Sequence, residues 1–194
     1  MSPWYYLLAL VEVPLFYGVA YLGGGPWVAF VGIGTIIGLT ELYSTAITRG
    51  QRPEVALGVL CGLGLLVAAE FLPGETWGAA AVGTILIAMA GSLCAQFTRT
   101  GRPERLRDAG LTTLAVAYVA LPMSFLPLLC KLDIAVRAGG ESAGPMQARL
   151  GALLIATAAV WLSDTAAWGL GHLYGRTKLA PRLSPNKTVE GALA

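Results

Sequence analysis

Leu150–Gly171 reads LGALLIATAAVWLSDTAAWGLG, 22 residues in which Asp164 is the only ionised side chain. A helix needs about 20 mostly apolar residues to cross the roughly 30 Å hydrocarbon core of a bilayer, so this stretch predicts a membrane span. Five further stretches meet the same test: Trp4–Leu22, Pro26–Tyr43, Val55–Leu72, Trp77–Phe97 and Leu111–Cys130. The fold class expected is therefore all-α, a polytopic integral membrane bundle of about six transmembrane helices. Its domains are a bundle over 1–172 and a surface segment over 173–194.

Composition agrees with the spans. Of 194 residues 56% are hydrophobic and 12% charged, with a mean hydropathy of +0.67, which excludes an ordinary soluble domain. The net charge of +2 comes with no dense basic stripe interleaved with aromatics, so no nucleic-acid partner is expected. Cys61, Cys94 and Cys130 stand alone in apolar runs and are read as packing residues. His172 is the only histidine, which excludes zinc sites built on several imidazoles. No basic residue precedes the first apolar run, and Glu12 and Pro14 interrupt it, unlike a secretory signal.

The connections orient the chain. With the N-terminus inside, the inner side receives Arg49, Arg52, Arg99, Arg102, Arg105, Arg107, Arg176, Lys178, Arg182 and Lys187, while Lys131, Arg137 and Arg149 fall outside. Ten against three follows the positive-inside rule and predicts an N-in, C-in topology. Lys131–Arg149 is then an external loop, expected to be exposed and mobile. Gly34/Gly38, Gly58/Gly62 and Gly171/Gly175 are spaced for close helix approach, and Pro14, Pro122 and Pro127 should kink or break their spans.

Ionisable residues within spans are costly and point to function. Glu41 and Glu70 lie near span ends, Glu12 suits a hydrogen bond to a neighbouring helix, and Asp164 belongs to the polar run Ser163-Asp164-Thr165 near the cytoplasmic end. Its carboxylate is placed to hold a cation or to orient a basic side chain. Beyond it Lys178, Arg182 and Lys187 accompany the hydroxyls of Ser184 and Thr188, with Gly and Pro fixing the backbone. That is an anion-receiving surface, since compact ammonium charges and hydroxyl donors suit phosphate oxygens. The bland alternative is a basic anchor that meets lipid headgroups.

The run from Asp164 to Gly191 resembles the pattern D-T-G-A-Y-x-x-G-R-x-x-G-x-x-K-L-x-P-x-x-S-P-x-K-T-x-E-G of phosphatidate cytidylyltransferases, or CDP-diacylglycerol synthases. Asp164, Thr165, Ala167, Gly171, Gly175, Lys178, Leu179, Pro181, Ser184, Pro185, Lys187, Thr188, Glu190 and Gly191 match it, while Ala166, Trp168, His172 and Val189 depart from it. Elsewhere the resemblance extends to hydropathy and to Glu41-Leu42-Tyr43 after the second span. It implies transfer of a cytidylyl group from CTP to phosphatidic acid in phospholipid biosynthesis, at the cytoplasmic face of a bacterial inner membrane. It further implies Lys187, Ser184 and Thr188 as catalytic residues that cradle phosphate, and Lys178, Arg182, Pro185 and Asn186 as substrate-binding residues. Asp164 and Glu190 would support Mg²⁺, with Glu190 orienting Lys187 or the metal. The partners implied are CTP, phosphatidic acid, membrane lipids and a second copy of the chain. Such enzymes continue through further spans into a signature rich in Lys-Asp, His-Gly-Gly and Asp-Arg that is thought to hold most of the metal, so the chain is expected to be an N-terminal part, inactive by itself. The rival readings are a small transporter, which has no need of the Ser-Pro-x-Lys-Thr-x-Glu-Gly run, and a non-catalytic membrane scaffold.

Overall fold

The computed structural model describes residues 4–98, 105–131, 137–138, 141–142, 145–180 and 184–193. They form two compact units, Met1–Leu150 and Gly151–Ala194. In the first unit α1 (Trp4–Leu22), α2 (Gly24–Thr48), α3 (Val55–Phe71) and α4 (Gly74–Thr98) follow one another through short connections. Then come α5 (Arg105–Ala115), a π-helical turn (Val116–Ala120) and α6 (Leu121–Leu129), which continue one another along the chain. Every expected span is thus a helix. Gly24–Thr48, Gly74–Thr98, Arg105–Leu129 and Leu150–Tyr174 are long and apolar enough to cross a membrane, whereas Val11–Leu22 and Val55–Phe71 are shorter apolar helices. The protein is a membrane helix bundle with four such spans among the described residues.

The bundle is held in the manner of membrane proteins, by small residues that admit neighbours. Leu39, Tyr43, Cys61, Leu65, Ala81, Ala88, Ala115, Val116 and Ala120 form its buried core, while Ile33, Ile37, Leu60, Val67, Leu86 and Ile87 are exposed, as lipid-facing side chains must be. The Gly58/Gly62 pair is a true packing pair. A methyl on Gly58 would run into the Tyr43 hydroxyl, and one on Gly62 would lie 2.8 Å from Leu39 Cδ1 and 3.1 Å from Ala120 Cβ. Of the other expected pair in this unit, a methyl on Gly38 would lie 3.0 Å from Val119 Cγ1, while one on Gly34 would meet nothing within 4 Å.

Of the expected kink or break, Pro14 and Pro127 bring no break, since each lies inside a helix that runs on past it. At Pro122 the chain makes a different adjustment. The π turn Val116–Ala120 sits immediately upstream, widening the helix where the proline ring would otherwise strike the carbonyl four residues back.

The connection between α2 and α3 is fastened by a buried polar network that the sequence reading did not single out. Asp108, with no exposed surface, accepts a hydrogen bond from Arg52 N–H at 3.0 Å. Gln96 Nε2 donates to the Arg52 carbonyl at 2.8 Å and to Glu54 Oε1 at 3.0 Å. Thr112 Oγ1 accepts from Glu54 N–H at 2.8 Å. Apart from Gln96 Oε1, which is buried without a hydrogen-bond partner among the described residues, these bonds meet the demand that buried polar groups be partnered, and they fix a loop in which Gly50 takes a positive φ of 80°.

The all-α expectation needs one amendment, because two short antiparallel hairpins accompany the helices. One pairs β1 (Arg137–Ala138) with β2 (Glu141–Ser142) inside the region expected to be a mobile external loop. Helix α7 (Pro145–Tyr174) begins within that region as well, since Pro145 has the fixed φ that suits a first helical position. The other hairpin belongs to the second unit, which holds α7 from Gly151, β3 (Lys178–Ala180), β4 (Ser184–Thr188) and the single-turn α8 (Val189–Ala192). The compact units therefore divide at 150/151, and the last expected span shares a unit with the surface segment.

Candidate functional site

Helix α7 carries the site on one face. Asp164, Ala167, Trp168, Gly171 and His172 recur at three- and four-residue intervals, so a 3.6-residue period aligns them, and Gly175 follows one residue past the end of the helix. Within that face the small residues and the functional ones form neighbouring strips. Ala167, Gly171 and Gly175 receive the hairpin and α8 at backbone distance. A methyl on Gly191 would lie 2.6 Å from the Ala167 carbonyl oxygen and 2.9 Å from Gly171 Cα, and one on Gly175 would meet the Gly171 carbonyl and the Thr188 side chain. Gly175 does not have a positive φ; glycine is needed there for space. The Gly171/Gly175 pair thus seats β4 and α8, where the sequence reading had it serve helix packing in the bundle.

The hairpin is antiparallel, with Lys178 opposite Thr188 and Ala180 opposite Ser184, and an irregularity between Lys178 and Ala180. Both strands are edges, which is why Pro185 is tolerated in β4. The connecting residues Pro181, Arg182 and Leu183 lie outside the described residues, and with them the expected contribution of Arg182. Thr188 closes the arrangement. It is buried, and its Oγ1 accepts from Gly191 N–H at 3.2 Å as the N-cap of α8. Val189 N–H donates to the Thr177 carbonyl at 2.9 Å.

Glu190 turns back to the same residue, its two carboxylate oxygens accepting from Thr177 N–H at 3.1 and 3.2 Å. Its own backbone N–H lowers its pKa; partial burial works against this, and Thr177 together with Arg176 N–H lowers it further. A carboxylate whose pKa is lower in the folded state stabilises above its unfolded value of about 4.3 and loses that contribution as pH falls through the folded value. Protection of the Thr177 amide against hydrogen exchange should therefore persist at neutral pH and decline only on acidification below the ordinary carboxylate range. Glu190→Gln should flatten that dependence; a wild-type profile in the variant would show that the carboxylate does not clamp the turn.

A cleft of about 800 Å³ opens between α7, the hairpin and α8, lined by Asp164, Ala167, Trp168, Gly171, His172, Gly175, Lys178, Leu179, Ser184, Lys187, Thr188, Gly191 and Ala192. Its size lies within the usual range for small-molecule sites. The structure thus brings together Asp164, Lys178, Ser184, Lys187 and Thr188 of the residues expected from sequence. Lys178, Lys187 and Asp164 are exposed, and Ser184 is half-buried. Pro185 and Asn186 lie on β4 between Ser184 and Lys187. Glu190 is not among the lining residues. Among the described residues no three His, Cys, Asp or Glu side chains gather to hold a metal. Mg²⁺ is usually held by one or two carboxylates together with substrate phosphates and water, so Asp164 fits as one such ligand. Two further lining residues, Trp168 and His172, were given no role in the site by the sequence, yet they are stacked on each other, with ring centroids 5.8 Å apart and planes within 3°.

The family model described as "Cytidylyltransferase family" matches residues 5–194. Over 185 residues the chain is 27% identical to a phosphatidate cytidylyltransferase of Staphylococcus haemolyticus (strain JCSC1435) and 28% identical to one of Staphylococcus saprophyticus. It is 26% identical over the same length to one of Staphylococcus aureus (strain COL). Each alignment covers 95% of this chain and 64% of the relative, so the chain spans just under two thirds of the length of these relatives. No solved structure matches.

Proposed function

The chain belongs to the cytidylyltransferase family, and from that premise we propose that the whole protein transfers a cytidylyl group from CTP to phosphatidic acid. A phosphate oxygen of phosphatidic acid attacks the α-phosphorus of CTP, the bond from that phosphorus to the β-phosphate bridging oxygen breaks, and CDP-diacylglycerol and pyrophosphate result. The observation that carries this reading is the cleft in which Lys178, Lys187 and Ser184 stand with Asp164. Both reactants are polyanions that repel each other, so catalysis is mainly positioning and charge neutralisation.

Lys187 and Lys178 are the cations that neutralise phosphate oxygens, and Ser184 donates a hydrogen bond to one of them. Thr188 accepts from Gly191 N–H and keeps its hydroxyl proton to donate into the cleft. Arg182, Pro185 and Asn186 belong to the substrate-binding segment of the same hairpin. Asp164 is the residue suited to Mg²⁺, which when bound would neutralise triphosphate charge and make the leaving pyrophosphate more stable. Glu190 acts from behind, holding the turn that bears Lys178. A homodimer in a bacterial inner membrane is part of the same proposal. The direct experiment is to supply CTP, phosphatidic acid and Mg²⁺ to the full-length protein in detergent or nanodiscs and measure CDP-diacylglycerol; no product under any of these conditions would reject the activity.

The proposed topology has six spans with both Met1 and the hairpin on the cytoplasmic side, supported by the ten-to-three distribution of Lys and Arg. With the native cysteines replaced, Arg102→Cys and Arg182→Cys should be shielded from an impermeant thiol reagent in intact cells and react once the membrane is opened. Labelling of both in intact cells would reverse the orientation.

A further inference from the structure

We propose that Trp168 and His172 form a nucleobase platform, on which the base of CTP stacks while its phosphates reach Lys178 and Lys187. The proposal deepens the functional reading above and rests on it. The two rings stand one helical turn apart on α7, stacked with centroids at 5.8 Å and planes within 3°. Both are exposed, Trp168 by 62%, and both line the cleft that Lys178, Ser184 and Lys187 also line. A stacked pair with this much free surface offers a further π face to a third ring.

A nucleoside triphosphate has two chemically distinct ends, a flat aromatic ring and a polyanionic tail. The cleft answers both, with aromatic rings on α7 and cations and a hydroxyl on the hairpin. Neither half of the cleft alone needs the other, since a phosphate site requires no indole and an interfacial indole requires no lysine pair. Base–aromatic stacking contributes affinity without choosing among bases, because every base has a π face. The platform therefore supports nucleotide binding, and selection of cytosine lies elsewhere. The competing role for Trp168 is that of an interfacial anchor at the headgroup level, which aromatic residues near span ends often fill.

The experiment compares CTP with inorganic tripolyphosphate, which carries the anionic tail and no base, by calorimetric titration of the full-length protein in nanodiscs. Trp168→Leu should weaken CTP binding about tenfold while leaving tripolyphosphate binding unchanged, and Trp168→Phe should recover most of the CTP affinity. His172→Leu should act in the same direction on CTP, because it removes the second ring of the stack. If CTP and tripolyphosphate weaken in parallel in Trp168→Leu, the indole merely shapes the cleft and the platform is rejected. If neither changes, Trp168 is a membrane anchor and the platform is again rejected. If the wild-type protein binds neither ligand, the nucleotide-dependent function falls and the platform with it.

Discussion

Lys187→Ala is expected to lower cytidylyltransferase turnover by about 10²–10³ while leaving the fold intact. The two halves of that expectation have separate causes. Lys187 is exposed on β4 and lines the cleft, so its ammonium is hydrated, and an exposed cation contributes at most about 1 kcal/mol to folding. The strand that carries it is held by other groups: the pairing of Lys178 with Thr188, the Thr188 cap and the Val189–Thr177 bond. Expression and thermal melting should therefore match wild type. The charge on reacting phosphate oxygens has no such substitute once a fixed cation is removed from beside it. Lys187→Arg should recover activity only in part, because a planar fork replaces a compact point charge. Lys131→Ala, an exposed lysine in the other compact unit, is the control and should alter neither property. Near-normal turnover of Lys187→Ala at saturating CTP and phosphatidic acid would favour the reading of this segment as a basic anchor for lipid headgroups.

The contrast between what was legible in the sequence and what was not follows from the range of the forces involved. Helix α1 occurs at Trp4–Leu22 as expected, and α3 ends one residue before the expected Leu72, because apolar length alone dictates a span and a bilayer leaves few alternatives to a helix. Ends set by polar contacts drifted further. Helix α2 runs on to Thr48, five residues past the expected end at Tyr43, with Ser44 and Thr45 returning their hydroxyls to the Glu41 carbonyl. Asp108 was invisible because the polar stretch between two spans reads as a solvated loop, and Gln96 because it is a single polar residue near the end of an apolar span, whereas both side chains are buried against the Arg52 backbone. A hint was available: Asp108 and Thr112 are spaced four apart at the start of an apolar run. The β3–β4 hairpin was missed for a different reason. Strands of three and five residues interrupted by Pro185 carry no usable alternation, and the close approach of Thr188 and Gly191 to Gly171 is a contact that only the folded chain shows. The candidate site residues were legible through their resemblance to a motif, and chemistry alone would have stopped at an anion-binding surface.

Close contact with α7 makes Gly191 a sensitive position outside the charged groups, and Gly191→Ala is expected to abolish activity at least as completely as Lys187→Ala. The added methyl would sit 2.6 Å from the Ala167 carbonyl oxygen, 2.9 Å from Gly171 Cα and 3.1 Å from Thr188 Oγ1. Two of these three atoms are backbone of a 30-residue helix, which cannot give way locally as a flexible side chain would. The single turn of α8 must therefore move off α7, at a cost of about 1–3 kcal/mol or more for overpacking. A two-stranded ribbon is marginally stable by itself, so a loss of that size is enough to release it. Ser184, Lys187 and Lys178 would then leave the cleft together, and the Thr188–Gly191 and Val189–Thr177 bonds would open. The signature that separates this from a charge effect is structural. Hydrogen exchange should show lost protection at the Thr177, Val189 and Gly191 amides, with protection of the α3 core around Leu65 unchanged, whereas Lys187→Ala should leave all of these amides as in wild type. Gly169→Ala is the matched control, since a methyl there meets nothing within 4 Å. Wild-type turnover in Gly191→Ala, or exchange protection retained at Val189, would mean that the hairpin does not depend on contact with α7 for its order.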